Sequence, residues 1–155
     1  MIEMIKKTTL QTELVDIRRH LHRNPEVGME LPATKDFVWQ KLVEYGYEPQ
    51  SCGKMGVTCT IGQGERVFLL RGDMDALPLV EDTDLEFRSE NGAMHACGHD
   101  MHTTMLLGAA KLLKEREKEL PGVVKLLFQP GEEILQGAKD CLDAGILENL
   151  SLIHI

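Results

Sequence analysis

At 155 residues, 43% hydrophobic and 27% charged, the chain has the size and composition of one globular domain with a real core. Its formal charge of −8, with no basic run to offset it, argues against nucleic acid or an anionic membrane as a partner. The start, Met1–Lys7, lacks the apolar segment of a signal peptide, and no stretch is long and apolar enough to span a bilayer, so a cytoplasmic location is expected.

Leu10, Leu14, Ile17 and Leu21 fall three and four apart, predicting a helix over 10–23 that Asn24-Pro25 ends. A second helix is expected from Pro32, suited to a first-turn position, to Tyr45, with Phe37, Val38, Leu42 and Val43 as its buried stripe. The period then changes: 57–61 and 67–70 read as strands separated by Gly62-Gln63-Gly64. Leu106 to Leu120 reads as a helix with Asp100 as a candidate cap, and 123–128 as a mostly apolar strand covered on both faces. A last helix is expected from Leu135 to Ala144, closed by Gly145. This alternation predicts a layered α/β sheet. Cys52, Cys59 and Cys141 sit among apolar neighbours and read as small buried hydrophobes in a reducing compartment.

The densest chemistry lies in Met94-His95-Ala96-Cys97-Gly98-His99-Asp100-Met101-His102, with three imidazoles, a thiol and a carboxylate in nine residues. Residues two apart face the same way only on extended backbone, so Cys97 and His99 predict a loop at the mouth of the next helix, where the helix N-terminus favours the thiolate that binds metal. Glu132 and Glu133 follow the apolar strand. Alone they read as an acidic first turn, but beside the Cys97/His99 loop one is expected to bind metal while the other faces a substrate water. Asp73 and Asp75 follow another strand, either as an acidic turn before Pro78 or with one carboxylate orienting a ligand imidazole. His20 and His22, near the end of the first helix, read as caps or surface groups.

Arg19 to Glu26, Arg71 to Pro78, Met94 to Ala110, Phe128 to Glu133 and Gly137-Ala138 together resemble the hippurate hydrolase/aminoacylase family of N-acyl-amino-acid amidohydrolases, which includes plant auxin-conjugate hydrolases. The resemblance implies an α/β three-layer sandwich with a mixed, mostly parallel sheet. It makes Cys97, His99 and Glu133 metal ligands, Glu132 the general base and Asp75 a support behind an imidazole. It also implies two divalent ions (zinc, manganese, cobalt or nickel) sharing the thiolate, a small N-acyl amino acid as substrate, and a homodimer or homotetramer for the whole protein.

Residues 1–149 are then expected to form the N-terminal part of a catalytic domain whose insertion domain and two further ligand histidines lie downstream, so that the chain alone is inactive or nearly so. Leu150–Ile155 is expected to be a non-native tail encoded by library DNA, which leaves His154 out of the site. Two other functions compete. In one, Cys97 is the nucleophile of a hydrolase, with His95, His99 or His102 as its base. In the other, the chain is a non-catalytic metal-binding module.

Overall fold

The computed structural model describes residues 9–154. The Met1–Lys7 start and Ile155, with the expectations placed on them, lie outside the described residues. Helix α1 spans Thr9–Arg23 and buries Ile17 and Leu21 at the expected spacing. Helix α2 spans Pro32–Glu44, with proline in its first turn, and buries Thr34, Val38 and Leu42. Val43, expected in that stripe, is 53% exposed, because one residue past Leu42 turns the side chain by about 100°.

Five strands form one sheet: β1 (Gln50–Cys52), β2 (Gly56–Gly62), β3 (Val67–Asp73), β4 (Val123–Gln129) and β5 (Leu152–His154), in the order β1-β2-β4-β3-β5. The β2 strand runs antiparallel to both β1 and β4, whereas β3 runs parallel to both β4 and β5. The sheet is therefore mixed, as expected, with two of its four strand pairings parallel. The later strand β4 inserts between β2 and β3, so the Gly-rich turn joining those two spans a neighbour rather than closing a hairpin. Strand β1 has three residues, too few for an alternation to show in the sequence.

Alternation along β4 divides the interior. Leu126 and Phe128 face α1, α2 and the third helix, α3 (His99–Glu115), in a core with Leu31, Val38, Leu42, Val57 and Leu107. Leu127 faces the other way, into a smaller cluster with Cys52, Leu69, Ile146 and Cys141 of α4 (Gly137–Asp143). Helices thus cover both faces, giving three layers.

Helix α3 begins at His99, well before Leu106, behind a left-handed Gly98 at φ 80. Asp100 lies inside its first turn rather than capping it. The periodicity missed this turn because it buries polar groups: the Thr103 hydroxyl donates to the Asp73 carbonyl at 2.8 Å and the Thr104 hydroxyl to the Asp100 carbonyl at 2.6 Å. The helix ends at Glu115, short of Leu120, and a single 3-10 turn follows over Glu117–Glu119. Gly72 lets α3 lie directly on β3, since a Cβ there would meet the His102 carbonyl oxygen at 3.0 Å. Helix α4 starts at Gly137 rather than Leu135, whose φ of 58 is not helical, and Gly145 follows its end at φ 81, as expected. No helix of the described residues is long and apolar enough to cross a membrane.

Phe128 is fully buried in the larger core. Phe128→Ala is expected to lower unfolding stability by about 3–5 kcal/mol, read as a shift of the urea midpoint at unchanged slope.

Candidate metal centre

Parallel pairing of β3 and β4 brings their C-terminal ends side by side, with Asp73 opposite Gln129. The chain leaving β3 places Asp75 two residues on, fully buried. One carboxylate oxygen of Asp75 accepts the backbone N–H of Glu132 at 3.0 Å, and the other accepts that of Glu133 at 3.0 Å. The Asp75 carbonyl lies 2.8 Å from His99 Nδ1. A carbonyl only accepts, so Nδ1 carries the proton and Nε2 points away, 3.8 Å from a Glu132 carboxylate oxygen. Burial pushes the Asp75 carboxyl up, but the His99 hydrogen bond and the two backbone donors outweigh it and hold it below its ordinary value. Burial pushes the His99 imidazole down, yet hydrogen bonds to the Asp75 side chain and carbonyl and the charges of Asp73 and Asp75 raise it to about 9.

Of the residues expected in the site, His99, Glu132 and Glu133 converge, each offering a donor atom within 4.8 Å of the others. Glu133 Oε1 is buried with no hydrogen-bond partner. An imidazole nitrogen and two carboxylates, one with an unpartnered oxygen, fit the donor preferences of a divalent cation. Cys97 stands outside this close group. It is exposed and lies beside Glu133. Interaction with that carboxylate, then desolvation and the charges of Glu133, Glu132 and Asp75, raise the thiol pKa, the reverse of the expected lowering at a helix N-terminus. A full carboxylate charge in contact outweighs the half-charge of a helix end.

A second group shares His99: Asp73 and His102 also bring donor atoms within 4.8 Å of it. Asp73 Oδ2 lies 3.4 Å from His102 Nδ1, while Arg71 donates to Asp73 Oδ1 through Nη2 at 2.6 Å and Nε at 3.0 Å. The three-residue step from His99 to His102, adjacent on a helix face, was the available signal once the helix start was known.

His95 is 5% exposed and neither ring nitrogen has a partner. Burial, the largest influence on it, takes its pKa down to about 4. His22 overturns the surface expectation. It is 3% exposed, with Nδ1 2.7 Å from Asp100 Oδ2 and Nε2 3.0 Å from Glu81 Oε1. Asp100 also pairs with Arg18 at 3.0 Å. No short-range pattern could announce this network, since its partners lie 78 and 59 residues along the chain. His20 stacks on Phe37, ring centroids 4.3 Å apart.

Residues 69–155 match the model of peptidase family M20/M25/M40. The chain is 46% identical over 155 residues to an Arabidopsis thaliana protein named IAA-amino acid hydrolase ILR1-like 5, covering 98% of this chain and 36% of that protein. It is 46% identical over 150 residues to the hippurate hydrolase of Campylobacter jejuni, covering 94% of this chain and 39% of the enzyme. Among solved structures, the Bacillus subtilis YXEP protein, described as a dinuclear metal binding peptidase of the M20 family, superposes with a TM-score of 0.90 at 42% identity, over 93% of this chain and 42% of that one. The chain thus spans a little over a third of the length of these curated relatives.

The buried network makes a pH-dependent contribution. Burial pushes Glu81 up, but the Ser89 N–H, the Thr83 hydroxyl and His22 outweigh it and bring it down to about 2 from 4.5. A depressed carboxyl stabilises the fold above its unfolded value, and that stabilisation drains away as pH falls from about 4.5 toward 2. Glu81→Gln is therefore expected to flatten the acid limb of a stability-against-pH curve across that interval, measured by urea unfolding at stepped pH.

Proposed function

We propose, from the premise that this chain belongs to peptidase family M20/M25/M40, that it carries the metal-holding part of an amidohydrolase cleaving the amide bond of small N-acyl amino acids. The observation that carries this reading is the convergence of His99, Glu132 and Glu133, held by one buried aspartate, with a Glu133 oxygen left unpartnered. The name of the Campylobacter relative, a hippurate hydrolase, supports the substrate class.

His99 through Nε2, Glu133 and the Cys97 thiolate would hold two divalent ions, drawn from zinc, manganese, cobalt or nickel. A bound ion supplies Lewis acidity, making water nucleophilic at neutral pH and polarising the amide carbonyl. Asp75 keeps the His99 ring and the 132–133 backbone in place, so neither has to reorganise during the reaction. Glu132, with 38% of its side chain exposed, is the general base: it takes the proton of the attacking water and returns it to the departing amine. The products are a carboxylic acid and an amino acid.

The alternative of a Cys97 nucleophile is disfavoured because the thiol meets Glu133 rather than an imidazole, and its pKa is raised. We also propose, from the four free thiols, a cytoplasmic setting, and, from the family resemblance alone, a homodimer or homotetramer for the whole protein.

Calorimetric titration of this chain with zinc is expected to show binding that His99→Ala abolishes and Glu132→Gln largely keeps. In a longer protein containing this segment, Glu132→Gln is expected to lower hippurate hydrolysis about 10²–10⁴-fold, and chelation to stop it. Loss of activity to thiol alkylation but not to chelator would favour the cysteine nucleophile instead. Unchanged turnover in Glu132→Gln would remove the base from the mechanism. This chain alone is expected to turn over hippurate at or near background.

A further inference from the structure

Four thiols are free, and they occupy different surroundings. Cys97 is exposed beside Glu133. Cys59 is enclosed in the larger core, where burial pushes its thiol up to about 12. Cys52 and Cys141 differ from both. They lie 89 residues apart in sequence yet meet behind the sheet, where Cys52 Sγ lies 3.9 Å from the Cys141 carbonyl oxygen. A Cβ built on Gly56, the register partner of Cys52, would lie 3.3 Å from Cys52 Cβ and 3.2 Å from Cys141 Sγ. The two side chains therefore sit over the same glycine. The adjoining turn is tied to α4 as well, since the Lys54 N–H donates to Asp140 Oδ2 at 2.7 Å.

We propose that Cys52 and Cys141 are a thiol–disulfide site, closing a reversible cross-link between β1 and α4 when the chain meets a small-molecule disulfide. Cys52 is the attacking sulfur, because it lies on the three-residue edge strand and Cys141 on the helix behind it. Contact with Cys141 lowers the Cys52 pKa against burial and the Asp140 charge, whereas the same contact and burial raise that of Cys141. The Cys52 thiolate displaces one thiolate from the reagent, leaving a mixed disulfide on Cys52. Cys141 then gives up its proton and attacks the Cys52 sulfur, expelling the second reagent thiolate. Two protein thiols are oxidised, one reagent disulfide is reduced to two thiols, and the protons end on those thiols.

Both sulfurs are buried, so the reagent enters by local opening. Strand β1 is the edge of the sheet and three residues long, which makes it the element least costly to lift. The cross-link closes on α4, the helix into which the Glu132–Glu133 loop runs directly, with the Gly137 N–H donating to the Gly131 carbonyl at 3.0 Å.

The test uses the reduced chain carrying Cys97→Ser, which removes the exposed thiol, incubated with oxidised glutathione. Remaining thiols are then alkylated in denaturant and the protein is digested without reductant. The expected product is a peptide pair joined through Cys52 and Cys141 and separated again by dithiothreitol, with Cys59 alkylated; Cys52→Ser or Cys141→Ser should abolish the pair. The same link is expected in the unsubstituted chain, whatever happens at Cys97. Recovery of both Cys52 and Cys141 as alkylated thiols, or a link from either to Cys59, would overturn the proposal.

Discussion

A single buried carboxylate sets the geometry on which the site depends. Asp75 turns one oxygen to the Glu132 N–H and the other to the Glu133 N–H, while its own carbonyl faces His99 Nδ1. Three donor-bearing residues from two distant segments are thereby fixed relative to one residue, His99 through its carbonyl and the two glutamates through its carboxylate. This works only because β3 and β4 are parallel neighbours, so that the loops leaving their C-terminal ends start side by side. Parallel neighbours in turn require a crossover, which α3 provides, and α3 delivers His99 at its first turn back to the same edge. Ligand crevices outside the carboxyl ends of parallel strands are a general property of such sheets.

Placing charge in the interior at this edge is costly unless each charge is met by a partner. Asp75 is met by backbone donors and an imidazole. Asp100 and Glu81 are met by His22 between them, with Arg18, Ser89 and Thr83 completing their shells. This second network joins α1, the first turn of α3 and the long segment between β3 and α3. Since that segment ends at Cys97 and Gly98, the buried imidazole of α1 helps fix where the His99 helix begins. The apolar core lies below both networks and carries the stability against which they are built.

Elements marked by apolar residues were legible in the sequence: α1, most of α2 and β2 follow their hydrophobic period, and β3 and β4 stand out as apolar runs. What escaped was decided by tertiary contact. The first turn of α3 is helical with polar residues because Thr103, Thr104 and Asp100 have buried partners. Leu135 has the composition of a helix start but adopts a left-handed backbone in the loop after Glu133. His22 resembles a helix-end histidine until two carboxylates arrive from elsewhere. The motifs singled out His99, Glu132 and Glu133, which the fold brings together, because residue type and position at a helix mouth or after a strand are local facts. The state of the Cys97 thiol was misjudged because it depends on Glu133, which is not local.

The balance of charge at this edge gives the metal reading its physical content. Asp73, Asp75, Glu132 and Glu133 crowd around His99, with Arg71 committed to Asp73. That excess strengthens proton binding locally: the His99 imidazole is pushed up to about 9, and Glu133 raises the Cys97 thiol. A divalent cation would substitute for those protons, and binding would release them, because imidazole and thiolate ligate only when deprotonated at the donor atom. The arrangement that raises the Cys97 pKa is thus the same one that would favour its thiolate once positive charge arrives. A raised thiol beside Glu133 and a thiolate on a bound cation would then be two states of one electrostatic environment.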